Sequence, residues 1–318
     1  MPVNPADDVM AGPRAVVAHR PDGALVHGSL LPATEPAADS AADSRATPLI
    51  VLDGIGCYGW AFPEISPVLA RDRPVLHVHY RGHGPSPTPP RPWDLRMSTL
   101  AHDAMALADA AAFGPRVAVL GYSMGFQVAL ECVRLHRARV SGLINIAGPP
   151  GRALHTFQGT DAFARLLPLL ANAARLARRV TDDLWKSVVP HRLALEIGLV
   201  TAVNGSRLAP EYLERYMADL AAIHPELFLS MLEEADAHDG RPVLPTIDIP
   251  TTFIAGARDT FVPLAVLEAC AAAVPHATVH RFDDATHAVP AEYIQETTTL
   301  LREALHDLDA GAVSGDPA

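Results

Sequence analysis

The stretch Val117-Ala118-Val119-Leu120-Gly121-Tyr122-Ser123-Met124-Gly125 constrains this chain more than any other. Four apolar residues, two of them β-branched, follow Gly114-Pro115-Arg116 and read as a strand buried on both faces of a parallel sheet. Residues 126–137 read as a helix, with Val128, Cys132 and Leu135 on one face. Ser123 therefore stands at a strand-to-helix corner, in a Gly-x-Ser-x-Gly pattern. The backbone is strained at such a corner, and a side chain at either flanking position would collide with neighbouring elements. The corner lifts the Ser123 hydroxyl above the sheet, at the positive end of the helix, where a developing anion is stabilised. Glycine and serine are common, so the pattern alone also fits an ordinary turn. Its weight comes from the strand before it, the helix after it and partners further along the chain.

The rest of the chain follows the same strand-and-helix alternation. Residues 15–18 and 24–27 flank Pro21-Asp22-Gly23 as an antiparallel hairpin at a sheet edge. Residues 33–47 have no apolar period and read as a flexible surface loop. Residues 49–52 and 75–79 are strands with a helix within 59–71 between them. Ser98 or Thr99 is expected to cap a helix that buries Leu100, Ala104, Leu107, Ala108 and Ala111. Residues 142–147 are the next strand. Strands alternating with helices predict an α/β fold with a doubly wound, mostly parallel sheet.

The alternation stops between 151 and 244. Residues 166–180, 185–203, 210–223 and 225–237 read as helices with no strand among them. Within them, Leu166-Leu167-Pro168-Leu169-Leu170 is either an apolar surface facing a substrate or plain packing on the core. Strands resume at 252–255 and 278–282, with helices reaching to about residue 273 and over 291–306. The expected layout is a core of 15–150 and 245–308, a helical cap of 151–244, a disordered segment 1–14 and a flexible tail 309–318.

A chain of 318 residues, 49% of them hydrophobic, can bury one large α/β domain with an insertion. A net charge of −11 argues against a nucleic-acid partner. Cys57, Cys132 and Cys270 are widely spaced and form neither a metal pattern nor a disulfide framework, which fits a reducing compartment. No apolar stretch is long enough to span a bilayer, and residues 1–14 lack a basic-then-apolar leader, so the expected location is cytoplasmic. His77 and His79 share a strand face and His83 follows. No Asp or Cys nearby completes a metal set, and no metal or cofactor is expected. The oligomeric state is open.

Ser123, Asp259 and His287 occur in that order, each just after an expected strand. This order and placement resemble the α/β-hydrolase family, over residues 15–306. The resemblance implies an α/β-hydrolase core with a helical cap inserted after the sixth strand, and Ser123, His287 and Asp259 as catalytic residues. A neutral serine hydroxyl is a poor nucleophile, so a histidine must take its proton during attack and return it to the leaving group. The aspartate fixes the imidazole tautomer and stabilises the imidazolium. No carboxylate in Gly148-Pro149-Pro150-Gly151 competes with Asp259, and Asp283 and Asp284 lie close in sequence to His287.

By the same resemblance the oxyanion hole uses the backbone amides of Met124 and Ile55. The family usually has His-Gly where this chain has Asp53-Gly54. A carboxylate aimed at the oxyanion would oppose catalysis, so Asp53 is expected to turn away and accept hydrogen bonds from loop amides. Tyr58, Trp60 and Tyr122 are candidate substrate contacts, with a core-aromatic role as the alternative. Arg81-Gly82-His83-Gly84-x-Ser86 also resembles a recurrent family loop, with His79 where an aspartate is frequent; it reads as structural. The implied function is serine hydrolysis of a small or medium apolar ester, lactone or thioester through an acyl-enzyme. A serine at the nucleophile position counts against epoxide hydrolases and haloalkane dehalogenases. C–C bond hydrolysis, perhydrolysis, acyl transfer or, in another class, ligand binding without turnover remain open on the same fold.

Overall fold

Eight strands, β1 (Arg14–His19), β2 (Leu25–Leu31), β3 (Leu49–Leu52), β4 (Val75–His79), β5 (Val117–Tyr122), β6 (Val140–Ile146), β7 (Thr251–Gly256) and β8 (Thr278–Phe282), join in one sheet. They do so in a computed structural model that describes residues 12–35, 46–155, 160–189 and 204–314. The strand order is β1-β2-β4-β3-β5-β6-β7-β8. β1 and β2 form the expected antiparallel hairpin, and β2 is antiparallel to β4. Every other pairing is parallel.

The five central strands, β3 to β7, are buried at every residue, which is why they read as unbroken apolar runs rather than alternating ones. Their side chains nevertheless alternate between two layers. Ile50, Leu52, Val117 and Val119 pack with Leu100 and Leu107 of helix α2 (Met97–Ala110) and Val128 and Cys132 of helix α3 (Met124–Leu135). Leu49, Val51, Ala118 and Leu120 face the other way, onto Ile65 and Leu69 of a short helix, Ile65–Leu69, and Leu301 and Leu305 of the closing helix, Ile294–Ser314. Period-2 burial of this kind places helices on both faces of one sheet.

Among the described residues, four α-helices lie between β6 and β7: Ala162–Leu176, Arg178–Val188, Pro210–Ala222 and Pro225–Ala237. The expected helix 166–180 instead breaks at Ala177, whose φ of −118° and ψ of 45° leave the helical region. The second piece is steered by Trp185, whose ring lies 5.3 Å from that of Phe228 and whose Nε1 donates to the Leu220 carbonyl at 3.1 Å. Residues 190–203 of the expected second helix, and 36–45 of the expected loop, lie outside the described residues.

Two other expectations change. Neither Ser98 nor Thr99 caps α2. The helix begins at Met97, and Asp94 just before it accepts the Arg96 amide at 3.3 Å and the Nε and Nη2 of the Arg96 guanidinium at 2.9 and 2.6 Å. The closing helix runs to Ser314, past the expected start of a tail at 309. Asp309 is the reason, because its carboxylate accepts from the Thr47 amide at 3.1 Å and from Arg73 at 3.0 Å.

Candidate active site

The site is assembled where β3, β5, β7 and β8 end. At the end of β5, Ser123 has φ 54° and ψ −125°, a conformation that L-residues adopt only when their surroundings enforce it. Two glycines enforce it here. A Cβ on Gly121 would lie 2.5 Å from the Phe126 Cα, and one on Gly125 would fall on the Leu52 carbonyl oxygen. The helix can therefore start directly against the sheet. The Ser123 amide donates to the Ile146 carbonyl at 3.0 Å, and its carbonyl accepts from Phe126 at 3.0 Å.

Asp259 follows β7. Its Oδ1 accepts the amides of Phe261 at 2.8 Å and Val262 at 2.9 Å, which fixes the carboxylate plane and leaves Oδ2 free for a partner. That partner is His287 Nδ1, at 2.8 Å, and His287 Nε2 lies 2.9 Å from Ser123 Oγ. Because Nδ1 faces a carboxylate, it carries the ring proton, and Nε2 offers a lone pair to the serine hydroxyl. Asp283 and Asp284 are spent at the surface, on Arg281 and Arg258.

The histidine is held on all sides. The Tyr122 hydroxyl donates to the His287 carbonyl at 3.2 Å, and the Tyr122 and Phe261 rings lie 5.5 and 4.9 Å from the imidazole. Glu292 accepts from the Thr286 amide at 2.8 Å, the Thr286 hydroxyl at 2.5 Å and the Asn204 amide at 2.7 Å. Sequence reasoning passes over Phe261 and Glu292, because no local pattern marks a residue that acts by bracing a loop.

Ile55 lies in the loop after β3, and Met124 opens α3. A Cβ on Gly54 would lie 3.6 Å from Ser123 Oγ, so this loop abuts the serine. Among the described residues, neither the Ile55 nor the Met124 amide has an acceptor. The first amides of a helix have no intrahelical acceptor, and two unpaired amides beside a hydroxyl can receive an oxyanion. The Asp53 carboxyl is engaged by its own loop: its Oδ2 accepts the Gly59 amide at 2.7 Å, while Oδ1 is buried without a partner. Burial pushes this carboxyl up to about 7, and the Gly59 hydrogen bond only partly opposes it.

The three aromatic candidates take packing positions. Tyr122 is buried with its hydroxyl spent on His287. Trp60 is buried, donates to Cys57 Sγ at 3.1 Å and stacks on Tyr216 at 5.5 Å. Tyr58 sits edge-on to His79 at 4.8 Å. Instead, a side chain at Gly56 would meet Leu220, Phe228 and the Tyr216 hydroxyl, so the helices Pro210–Ala222 and Pro225–Ala237 lie against the loop after β3. Those contacts depend on tertiary packing and had no signal in their own sequence. His77 and His79 are spent on the hydroxyls of Ser66 at 2.6 Å and Ser29 at 2.8 Å.

Fold and site define a class that sequence comparison also finds. A family model for the alpha/beta hydrolase fold matches residues 47–292, and the chain belongs to that family. It is similar to the pimeloyl-[acyl-carrier protein] methyl ester esterase of Chromobacterium violaceum, with 27% identity over 81% of this chain and 93% of that one. The enzyme of the same name from Xanthomonas oryzae pv. oryzae is 30% identical over 72% of this chain and 83% of its own length. In shape the chain is similar to a thermophilic esterase from Thermogutta terrifontis, with a TM-score of 0.71 at 21% identity, over 94% of this chain and 100% of the other. No helix among the described residues is long and apolar enough to cross a membrane.

Proposed function

We propose that this chain is a carboxylic ester hydrolase that works through an acyl-enzyme on Ser123. The reading rests above all on the line Ser123 Oγ, His287 Nε2, His287 Nδ1, Asp259 Oδ2, with spacings of 2.9 and 2.8 Å. His287 takes the Ser123 proton as Oγ attacks the ester carbonyl carbon. The carbonyl oxygen becomes an oxyanion that receives the Ile55 and Met124 amides. As the tetrahedral species collapses, His287 gives its proton to the departing alkoxide and the acyl group stays on Ser123. Water then repeats the sequence and frees the acid. Asp259 stabilises the imidazolium formed in each half.

The substrate is an ester of an apolar acyl chain, of small or medium size. Tyr216, Leu220 and Phe228, brought over the oxyanion loop by the helices between β6 and β7, support that choice, as do the curated relatives named as methyl ester esterases. In this reading those helices form a cap that sets acyl length. Chromogenic esters of increasing acyl length, assayed with the native protein and Ser123→Ala, test both parts. Turnover that vanishes with the serine and peaks at one length supports them. Equal turnover in the variant, or none on any ester by the folded native protein, overturns the reading.

A further inference from the structure

His83 lies in the Arg81-Gly82-His83-Gly84-Pro85-Ser86 loop, outside the line of reacting groups, and is completely buried. Its two ring nitrogens are both engaged. Nδ1 lies 3.1 Å from the Arg81 carbonyl, which can only accept, so Nδ1 carries the proton. Nε2 is then a lone pair, and the Gly56 amide donates to it at 3.1 Å. Gly56, at φ 74°, is next to Ile55, whose own amide points to no acceptor among the described residues. The other end of the same loop is held by Tyr80, whose hydroxyl donates to the Asp53 carbonyl at 3.0 Å. The Tyr80 ring also meets His83 edge-on at 5.9 Å.

We propose that His83, as the neutral Nδ1–H tautomer, is a positioning residue that holds the Gly56 amide and thereby aims the Ile55 amide at the oxyanion. The proposal rests on the acyl-enzyme reading above and adds a residue to it. The chemistry favours an imidazole here. An amide donor inside the protein needs an acceptor, and a buried carboxylate in this place would set a negative charge beside the developing oxyanion. A neutral ring nitrogen accepts the hydrogen bond without that charge. Burial lowers the His83 pKa to about 4, so the ring keeps its lone pair across the neutral range. Ile55 has no polar side-chain atom with which to fix its own backbone, so its amide direction is inherited from its neighbours.

Two near-isosteric amides separate the two hydrogen bonds of His83. In His83→Gln the side-chain oxygen reaches the position of Nε2 and can accept from Gly56. In His83→Asn the shorter amide reaches the position of Nδ1, keeps the Arg81 contact and leaves Gly56 without an acceptor. With the best ester of the series, His83→Gln should keep kcat within about threefold of native, while His83→Asn should lose about 10- to 100-fold in kcat at little-changed KM, the scale of a misaimed group. Affinity for a trifluoromethyl ketone, whose serine adduct carries the oxyanion, should fall by the same factor. The rate of Ser123 labelling by a fluorophosphonate gives a second readout that does not depend on finding a good ester.

A folded His83→Asn protein with native kcat and native inhibitor affinity overturns the proposal. So does an equal loss in both variants, which would mark His83 as general packing. If the native protein is labelled at Ser123 but hydrolyses no ester, the esterase reading fails, and the labelling rates of the two variants still decide the role of His83. If the native protein is neither labelled nor active, both fall.

Discussion

The loops above the sheet and the helix pair Ala162–Leu176 and Arg178–Val188 are built on opposite terms. Around Ser123 each loop is pinned from more than one direction: Asp259 by two amides, the His287 loop by Glu292 and Tyr122, the Ile55 loop by His83, Tyr80 and Asp53. On the helix pair Leu166, Leu169, Leu170, Leu176, Val180, Leu184 and Val188 are exposed, and ion pairs such as Arg165–Asp161 lie at the surface. Only Leu167, Ala171 and Ala174 are buried there. A group aimed at one atom is held by many hydrogen bonds, whereas this helix pair is held by a few buried apolar side chains. Mutations should therefore cost activity in the first region, and in the second they should cost only what the few buried residues supply.

The largest effect belongs to the serine. Ser123→Ala should lower kcat by about 10⁴-fold or more, and Asp259→Asn by about 10⁴-fold, because the asparagine can orient the imidazole in the wrong tautomer. Ester kinetics on folded variants check both. Activity within tenfold of native in either would break the claim that this region is built for chemistry. Next comes Gly125→Ala. The new methyl has no room beside the Leu52 carbonyl, so the helix must retreat from the sheet. The expected loss is about 3 kcal/mol or more of stability, at the upper end for overpacking, read as a lower denaturant midpoint.

The same contrast explains what could be read from the sequence. The corner at Ser123 was legible because its requirements are local: a buried strand, two residues without a Cβ, and a helix. Asp259 was legible because it follows a strand buried at every residue, and His287 because it follows the last strand, Thr278–Phe282, in chain order after Ser123 and Asp259. The break at Ala177 was not legible, because the piece after it is held by Trp185 meeting Phe228 and Leu220 of distant helices. The end of the closing helix was missed for a similar reason, since Asp309 is held by Thr47 and Arg73 at the far end of the chain. Tyr122 and Trp60 read as either substrate contacts or core aromatics; their polar atoms turn inward to His287 and Cys57, and sequence carries no record of that direction.

Leu167 tests the comparison inside the helix pair itself. It is buried while its neighbours are exposed, so Leu167→Ala should cost about 2–4 kcal/mol through the cavity left behind. A thermal or denaturant midpoint close to native would show that the helix is held by something other than this side chain.

Asp53 sharpens the comparison through pH. Its carboxyl ordinarily titrates near 3.8 and is pushed up to about 7 by burial. Below about pH 4 both folded and unfolded states hold the proton, and the group contributes no pH dependence. Between about 4 and 7 the unfolded chain releases a proton that the folded chain keeps, so stability falls as pH rises. Above about 7 both are ionised and the penalty is constant. Asp53→Asn removes the titration, and its amide oxygen can still accept from Gly59. Its melting temperature should match native near pH 4 and exceed it by a few degrees at pH 8. Because the carboxyl is engaged by the Gly59 amide, kcat should change by less than about threefold, well below the scale of losing an oxyanion donor. A strong rise in kcat would mean that the carboxylate does oppose the oxyanion.

The smallest effect is expected on the outer face of the helix pair. Leu169→Ser and Leu184→Ser replace side chains that are already 65% and 61% exposed, so little apolar area is lost from the core. Stability should stay within about 0.5 kcal/mol of native, the usual range for surface positions. Neither residue approaches Ser123 through any contact of the site, so kcat on a short ester should also hold. The pair is best compared with Leu167→Ala in one denaturant series. If the two serine variants lose as much stability as the alanine variant, these leucines are covered in solution, and the helix pair is as firmly built as the site it adjoins. If they do not, the apolar stripe is free surface, and the division between a pinned corner at Ser123 and a loosely held helix pair stands.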